Sequence, residues 1–338
     1  MKTYRYIFLY VSILLLTPLN FTAAVEPEFK LLYEGLKEGR VAFSYTLDDK
    51  TDIFVLDLSD GKVSKLINSP GKDEAPNFSP DGNKIVYHSD MSGNKEIYIA
   101  GADGSDVTQL TSSKGNSENA TWSPDGKKIV FQTNRRAKSG DEVFIMNVDG
   151  SEQGPLLPRD AQPNLKNVTP RFSPLGDEVA YVTNDNWPGW DILIFNINKK
   201  NIIQLTEGQG SYIRPSWSPN GLALSFSYRT GNRGEIWLAQ KGKSDPQPLI
   251  QKNVESLDPC WHDTEKVMFF VAENNPEQKD YQLFILDRRI PNDKSNMAAD
   301  TYQLLSSKGV VRGPTYSPFP TLSSLRDKLK QGQAKAAK

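Results

Sequence analysis

Residues 120–126 read Ala-Thr-Trp-Ser-Pro-Asp-Gly, and the phrase returns along the chain. It stands as Pro76-Asn77-Phe78-Ser79-Pro80-Asp81-Gly82, as Pro170-Arg171-Phe172-Ser173-Pro174-Leu175-Gly176 and as Pro215-Ser216-Trp217-Ser218-Pro219-Asn220-Gly221. A degraded copy, Pro259-Cys260-Trp261-His262-Asp263, and a fragment, Pro314-Thr315-Tyr316-Ser317-Pro318, close the series. The serine-equivalent positions 79, 123, 173, 218, 262 and 317 lie 44, 50, 45, 44 and 55 residues apart. A period near ~45 residues belongs to propeller blades or helical repeats, and the local pattern decides between them.

After each turn comes an apolar run rich in β-branched and aromatic residues: Ile85-Val86-Tyr87, Ile129-Val130-Phe131, Val179-Ala180-Tyr181, Leu224-Ser225-Phe226 and Val267-Met268-Phe269-Phe270. A second run follows about ten residues later, as in Glu96-Ile97-Tyr98-Ile99 and Glu142-Val143-Phe144-Ile145. These compositions favour strands. Asp103-Gly104 and Asp149-Gly150 supply the backbone freedom of tight hairpin turns, and short runs such as Gln109-Leu110-Thr111 and Gln204-Leu205-Thr206 end each unit. Four antiparallel strands per unit make one propeller blade.

The ends suggest how the ring closes. Arg40-Val41-Ala42-Phe43 and Asp52-Ile53-Phe54-Val55 match second and third strands but have no clear first strand before them, whereas Pro314 to Pro318 is a first strand with no second after it. Joined, they make a sixth blade and remove two exposed sheet edges. Leu31-Leu32-Tyr33 is a competing candidate for that inner strand. The fold expected over residues 25–320 is therefore an all-β, six-bladed β-propeller of four-stranded antiparallel blades, its ring closed by N- and C-terminal segments. Leu322, Leu325 and Leu329 predict a short helix, followed by a basic disordered tail within 321–338.

Residues 1–24 read as a signal peptide. Lys2 and Arg5 precede an apolar run from Tyr6 to Leu16, then Pro18 and the small residues Thr22, Ala23 and Ala24. The run is about eleven residues, against the roughly 20 that span a bilayer. The expectation is a periplasmic or secreted protein without stable membrane insertion after cleavage. Lys plus Arg total 40 against 41 Asp plus Glu, a net charge of -1, which excludes the basic footprint of a nucleic-acid binder. Hydrophobic residues at 37%, with 10% aromatic, suffice to fill a core. One cysteine, Cys260, rules out an internal disulfide, and two histidines, His88 and His262, are too few for a usual zinc site.

Ser-Pro-Asp-Gly followed by an apolar strand, Glu-Ile-Tyr-Ile and an Asp-Gly turn resembles the WD40-like (PD40) repeat of the TolB family of six-bladed propellers, over about residues 40 to 318. TolB proteins are periplasmic members of the Tol-Pal envelope system. Their propeller binds the peptidoglycan-associated lipoprotein, and an N-terminal segment engages an inner-membrane partner. The resemblance thus implies an envelope protein or peptide as partner. About fifteen residues separate the expected cleavage point from the first propeller strand, so a propeller-only member lacking the TolB N-terminal domain is expected. Propellers of one architecture host unrelated activities, and function must be argued from the site.

A serine beside an acid invites a catalytic reading, but recurrence in every blade marks it as structural. No Gly-x-Ser-x-Gly elbow, His-Glu-x-x-His helix, P-loop or dinucleotide fingerprint occurs. No enzyme is expected. Binding is expected in loops at the channel mouth, which a rigid ring presents. Trp187 and Trp190, with Asp185, stand in the most irregular blade, after the insert Pro158 to Asn167. Arg135, Arg136, Arg214, Arg229, Arg233 and Arg312 are placed on neighbouring loops as carboxylate-gripping guanidiniums. Asp90, Glu74, Asp141 and Asp185 balance them or hold a structural calcium in the channel, although none has a defined calcium spacing. No other cofactor is expected, and the chain is read as a monomer. The alternative is a carbohydrate-binding or carbohydrate-active propeller, with Trp187 and Trp190 stacking on sugar rings.

Overall fold

Six aromatic side chains, Phe43, Tyr87, Phe131, Tyr181, Phe226 and Phe270, occupy the same place in six successive sheets, and each is fully buried. In four of the sheets the aromatic faces another on the adjacent strand: Phe43–Phe54, Tyr87–Tyr98, Phe131–Phe144 and Phe270–Phe284, with ring centroids 5.7–6.4 Å apart. Cross-strand aromatic pairs of this kind are the packing unit of a twisted sheet. A computed structural model describes residues 29–32, 35–136, 140–157, 166–184, 189–208, 210–231, 233–243, 245–250, 255–275, 280–288 and 301–318.

Each sheet is one blade of four antiparallel strands. Blade 1 runs Asp73–Phe78, Lys84–Ser89, Glu96–Gly101 and Thr108–Gln109, and blade 2 runs Ser117–Trp122, Lys128–Thr133, Glu142–Asn147 and Gly154–Pro155. Blade 3 comprises Asn167–Phe172, Glu178–Thr183, Asp191–Asn196 and Asn201–Gln204, and blade 4 Ser211–Trp217, Ala223–Thr230, Arg233–Gln240 and Gln247–Ile250. Blade 5 is Ser256–Trp261, Val267–Asn275, Asp280–Asp287 and Thr301–Gln303. Blade 6 is split: Val310–Ser317 is its inner strand, beside Arg40–Leu47, Lys50–Asp57 and Val63–Lys65. The chain closes its ring as expected, with Arg40 opposite Ser317 and Thr46 opposite Val310. The competing candidate is not the inner strand: Lys30–Leu31 instead pairs with Leu305–Ser306 in a separate two-stranded sheet. Residues 1–24 and 321–338, with the expected signal peptide, helix and tail, lie outside the described residues.

Every inner strand carries one β-bulge, and all six fall opposite the buried aromatics. In blade 1 Glu74 pairs with His88 and Asn77 with Val86, so Ala75 and Pro76 together face Tyr87. The corresponding pairs are Asn119-Ala120, Thr169-Pro170, Arg214-Pro215, Asp258-Pro259 and Gly313-Pro314. Proline is tolerated here because a bulge on an edge strand needs no ladder donor. The first residue of each bulge sits in the left-handed region in all six: Ala75 (φ 52), Asn119 (φ 55), Thr169 (φ 49), Arg214 (φ 56), Asp258 (φ 55) and Gly313 (φ 53).

The released N–H is received by the preceding blade. Ala75 N–H donates to Ser44 Oγ at 3.0 Å, Asn119 N–H to His88 Nδ1 at 3.4 Å, Thr169 N–H to Gln132 Oε1 at 2.9 Å and Asp258 N–H to Ser227 Oγ at 3.1 Å. Trp122 Nε1–H reaches the Asn77 carbonyl at 3.0 Å, and Trp217 Nε1–H the Arg171 carbonyl at 3.1 Å, one blade back in each case.

Arg40 fastens the split blade to blade 1. Only 1% exposed, it donates from Nη2 to the Gly82 carbonyl at 2.6 Å and from Nη1 to the Ala102 carbonyl at 3.2 Å, with its guanidinium 4.8 Å from the centre of the Phe78 ring. Arg40→Leu keeps the volume and strips both carbonyls of this donor, so it is expected to cost about 3 kcal/mol, the scale of charged hydrogen bonds. Arg136→Leu, which breaks an exposed pair with Glu142, should cost less than about 1 kcal/mol. Urea titration of both variants checks the difference; equal midpoints would remove Arg40 from the closure.

Candidate functional site: the central channel

The inner strands stand around a central cavity of about 720 Å³. One ring of its wall is made by the bulge residues Ala75, Asn119, Thr169, Arg214, Asp258 and Gly313. Two residues further along each strand come Asn77, Thr121, Arg171, Ser216, Cys260 and Thr315. Pro80, Pro124, Pro174, Pro219 and Pro318 line the cavity at the end formed by the repeat turns. Thr46 and Thr51, on the second and third strands of blade 6, line it towards the opposite end.

Charge in this lumen is mixed and mostly paired. On the wall of blades 1 and 2, Lys95 Nζ lies 2.9 Å from Glu74 Oε2 and 3.3 Å from Glu118 Oε1, and His88 Nε2 lies 3.3 Å from Glu74 Oε2. The hydrogen bond from His88, followed by that from Lys95, pulls the Glu74 carboxyl down from 4.5 to about 2 against the opposing effect of burial. Across the channel Arg214 Nη1 meets Asp258 Oδ1 at 2.5 Å, while Asp258 Oδ2 accepts the Gly313 N–H at 3.0 Å. Burial, reinforced by neighbouring Arg214, pushes the Arg171 guanidinium down to about 10. Burial raises the Cys260 thiol to about 12, which makes it a poor nucleophile at neutral pH. Among the described residues no three His, Cys, Asp or Glu side chains converge as a metal-ligand cluster.

Three of the repeat serines are fully employed in their turns. Ser79 Oγ–H donates to Asp81 Oδ1 at 2.6 Å while its oxygen accepts the Lys84 N–H at 2.9 Å, and Ser123 repeats both bonds with Asp125 and Lys128. Ser218 does the same with Asn220 and Ala223. Asp81 Oδ1 also accepts the Asn83 N–H at 3.1 Å, an Asx turn, and Gly82 takes the positive φ of 69° that follows. Both histidines are braced as well: His88 between Glu74 and the Asn119 N–H, and His262 by the Thr264 N–H at 3.2 Å and by stacking on Tyr316.

The residues picked out by sequence scatter. Asp185 and Trp187 lie outside the described residues. Trp190 packs against the cluster of Ile192, Tyr212, Trp217 and Phe226 at the junction of blades 3 and 4, and its carbonyl accepts the Tyr212 N–H at 2.7 Å. The arginines are corrected in position. Arg214, Arg229, Arg233 and Arg312 belong to strands rather than loops, and of the six only Arg214 and Arg312 line the channel. Arg135 is a packing residue, stacked at 5.3 Å on both Phe131 and Phe144 and bonded to Gln153, Thr133 and Ser117. Arg136 pairs with Glu142 at 2.7 Å, Arg229 pairs with Glu255, and Arg233 is exposed at the start of its strand. Arg312 stacks 3.6 Å from the centre of the Tyr281 ring. Lys95, Glu118, Arg171 and Asp258 escaped the sequence reading; the signal for the last two was their place beside the bulge proline.

Residues 37–156 match the family model described as TolB beta propeller domain. Together with the six closed blades, this decides the architecture. The chain carries a TolB-like propeller. It is 39% identical over 151 residues to a protein TolB homolog of Chlorobium chlorochromatii, a match covering 45% of this chain and 31% of that relative. Its fold is similar to TolB from Acinetobacter baumannii, with a TM-score of 0.69 at 18% identity over 83% of this chain and 67% of that one. A putative TolB from Agrobacterium tumefaciens gives a TM-score of 0.61 at 16% identity, covering 80% and 99%.

Within the TolB-like channel the Glu74 network has a defined acid dependence. A carboxyl held below its ordinary value contributes stability above about pH 4.5 and loses it as pH falls towards about 2. Glu74→Gln is therefore expected to lower the Tm at pH 7, with the gap to the unmodified protein closing by pH 2. Thermal melts across that range check it, and a constant gap would mean that packing rather than ionisation is at stake.

Proposed function

We propose that this chain is an exported, non-enzymatic binding protein of the cell envelope, working in the periplasm or outside the cell, which docks a protein or peptide segment at the mouth of its central channel. The observation that supports this best is the lumen itself: an open cavity of about 720 Å³ whose charges are mostly paired, on a ring fixed blade to blade. Fixed dipoles and charges on a rigid wall recognise a partner with little ordering cost. Chemistry is disfavoured because the serines, histidines and carboxylates that could have formed a triad are bound into turns and struts. The likeness to the Chlorobium TolB homolog supports the envelope setting. The carbohydrate reading is the weaker one, since Trp190 spends its ring on the junction of blades 3 and 4.

Site-specific photo-crosslinking tests the docking. A photoreactive residue at Asn77, which lines the channel, is expected to capture one discrete envelope protein. The same residue at Ile203, 45% exposed on the outermost strand of blade 3, should capture none. Equal labelling from both positions, or labelling from Ile203 alone, would move the partner away from the channel.

A further inference from the structure

Six equivalent positions ring the lumen two residues beyond the bulges, and five hold small side chains: Asn77, Thr121, Ser216, Cys260 and Thr315. The sixth is Arg171. Among the described residues its guanidinium makes one hydrogen bond, from Nη1 to the Pro170 carbonyl at 3.0 Å, and has no carboxylate in ion-pair range. The nearby acid, Asp258, already receives Arg214 on one oxygen and the Gly313 N–H on the other. A half-buried cation with donors to spare, beside a second cation, calls for an anion from outside.

The turns that follow these two inner strands break the repeat as well. Blade 3 has Leu175 where Asp81 and Asp125 stand in blades 1 and 2, and blade 4 has Leu222 where those blades have Asn83 and Lys127. Leu175 is 63% and Leu222 60% exposed. The two turns touch: a Cβ added to Gly221 would stand 3.1 Å from Leu175 Cγ. Pro174 and Pro219 carry the same two blades' apolar surface down into the cavity.

We propose that the turn-end mouth at blades 3 and 4 receives an extended peptide in which an acidic residue neighbours an apolar one, the carboxylate taken by Arg171 beside Arg214 and the apolar side chain lying on Leu175 and Leu222. This rests on the docking reading above and names the chemistry of the segment and its end of the channel, opposite the loops that join second and third strands. Charge complementarity sets the acid, and the exposed leucines set its neighbour.

The test pans a random heptapeptide phage library against the immobilised full chain, then measures the selected peptides in solution by fluorescence anisotropy. Enrichment of Asp or Glu within two positions of Leu, Ile, Met or Phe is expected. Arg171→Gln should weaken binding roughly tenfold or more, as loss of a charged hydrogen-bonding partner does. The double variant Leu175→Asn, Leu222→Asn, confined to exposed turns, should weaken it several-fold and stands as the deciding variant if Arg171→Gln does not fold. Glutarate should compete only at concentrations far above those of the peptide. Selected peptides lacking acids, undiminished binding by the leucine double variant or by folded Arg171→Gln, or glutarate binding as tightly as the peptide would each overturn the proposal. Crosslinking from Asn77 reports docking in the channel whatever the chemistry of the segment, so the two readings fail separately.

Discussion

The ring depends on a backbone conformation that most side chains avoid. At each of the six inner-strand bulges one residue is held at positive φ, and in five cases it is not glycine. Thr169, which is β-branched, is the costliest of these. Such strain is of order 1–3 kcal/mol per residue and survives only where the surroundings over-determine it. Here a fully buried aromatic opposite each bulge holds the strand from one side. In four of the six, a side chain on the second strand of the preceding blade takes the displaced N–H from the other. The bulge therefore does two things at once: it turns inner-strand side chains into the lumen, and it converts a bond that would have stayed within a blade into one that joins two blades.

The acceptors show how sequence drift is absorbed. The residue paired with the one before each bulge is Ser44, His88, Gln132 or Ser227 in four blades, all able to accept. In blades 3 and 5 it is valine, Val182 and Val271. At the second of these sites Asp258 takes over, its carboxylate accepting the Gly313 N–H from one blade back while also pairing with Arg214. One acid thus repairs the join between blades 5 and 6 and neutralises a lumen cation. At the first, the join from blade 3 to blade 4, Val182 offers no acceptor to the Arg214 N–H, and packing of Trp190, Tyr212 and Trp217 covers the junction instead.

How much of this the sequence disclosed follows from what repeats and what does not. Ser-Pro-Asp-Gly and the strands after it announce themselves because turn chemistry demands particular residues at fixed offsets, and the orphan strand at Pro314 finds its partner at Arg40 because an unpaired inner strand and an unpaired second strand have one solution. The bulges were hidden. A residue before proline is ordinarily pushed towards extended backbone, so nothing local marks Ala75 or Arg214 as left-handed. Without the bulge, residue parity along the inner strand fails, and with it the assignment of Arg171, Arg214 and Asp258 to the lumen. Arg135 misleads for the opposite reason: its charge suggests a surface grip, but its planar head lies on Phe131 and Phe144 and serves the blade.

In a repeat protein the ring needs only what the copies share, so a departure from the common pattern is free to answer to something else. Isolated departures are scattered here, as His262 in place of the repeat serine shows, and that one is absorbed by stacking on Tyr316. The junction of blades 3 and 4 is different because its departures coincide. Arg171 replaces a small residue, Leu175 replaces the turn aspartate, Leu222 replaces a polar residue, and Val182 replaces the acceptor. None improves the local structure: among the described residues the arginine lacks a carboxylate partner, the leucines face solvent, and the valine drops an inter-blade bond. Stability alone would favour the consensus at all four positions. Their concentration on one sector, where two guanidiniums line the channel and two exposed leucines stand on the turns that follow, is the pattern expected where a ring has been altered to hold something other than itself.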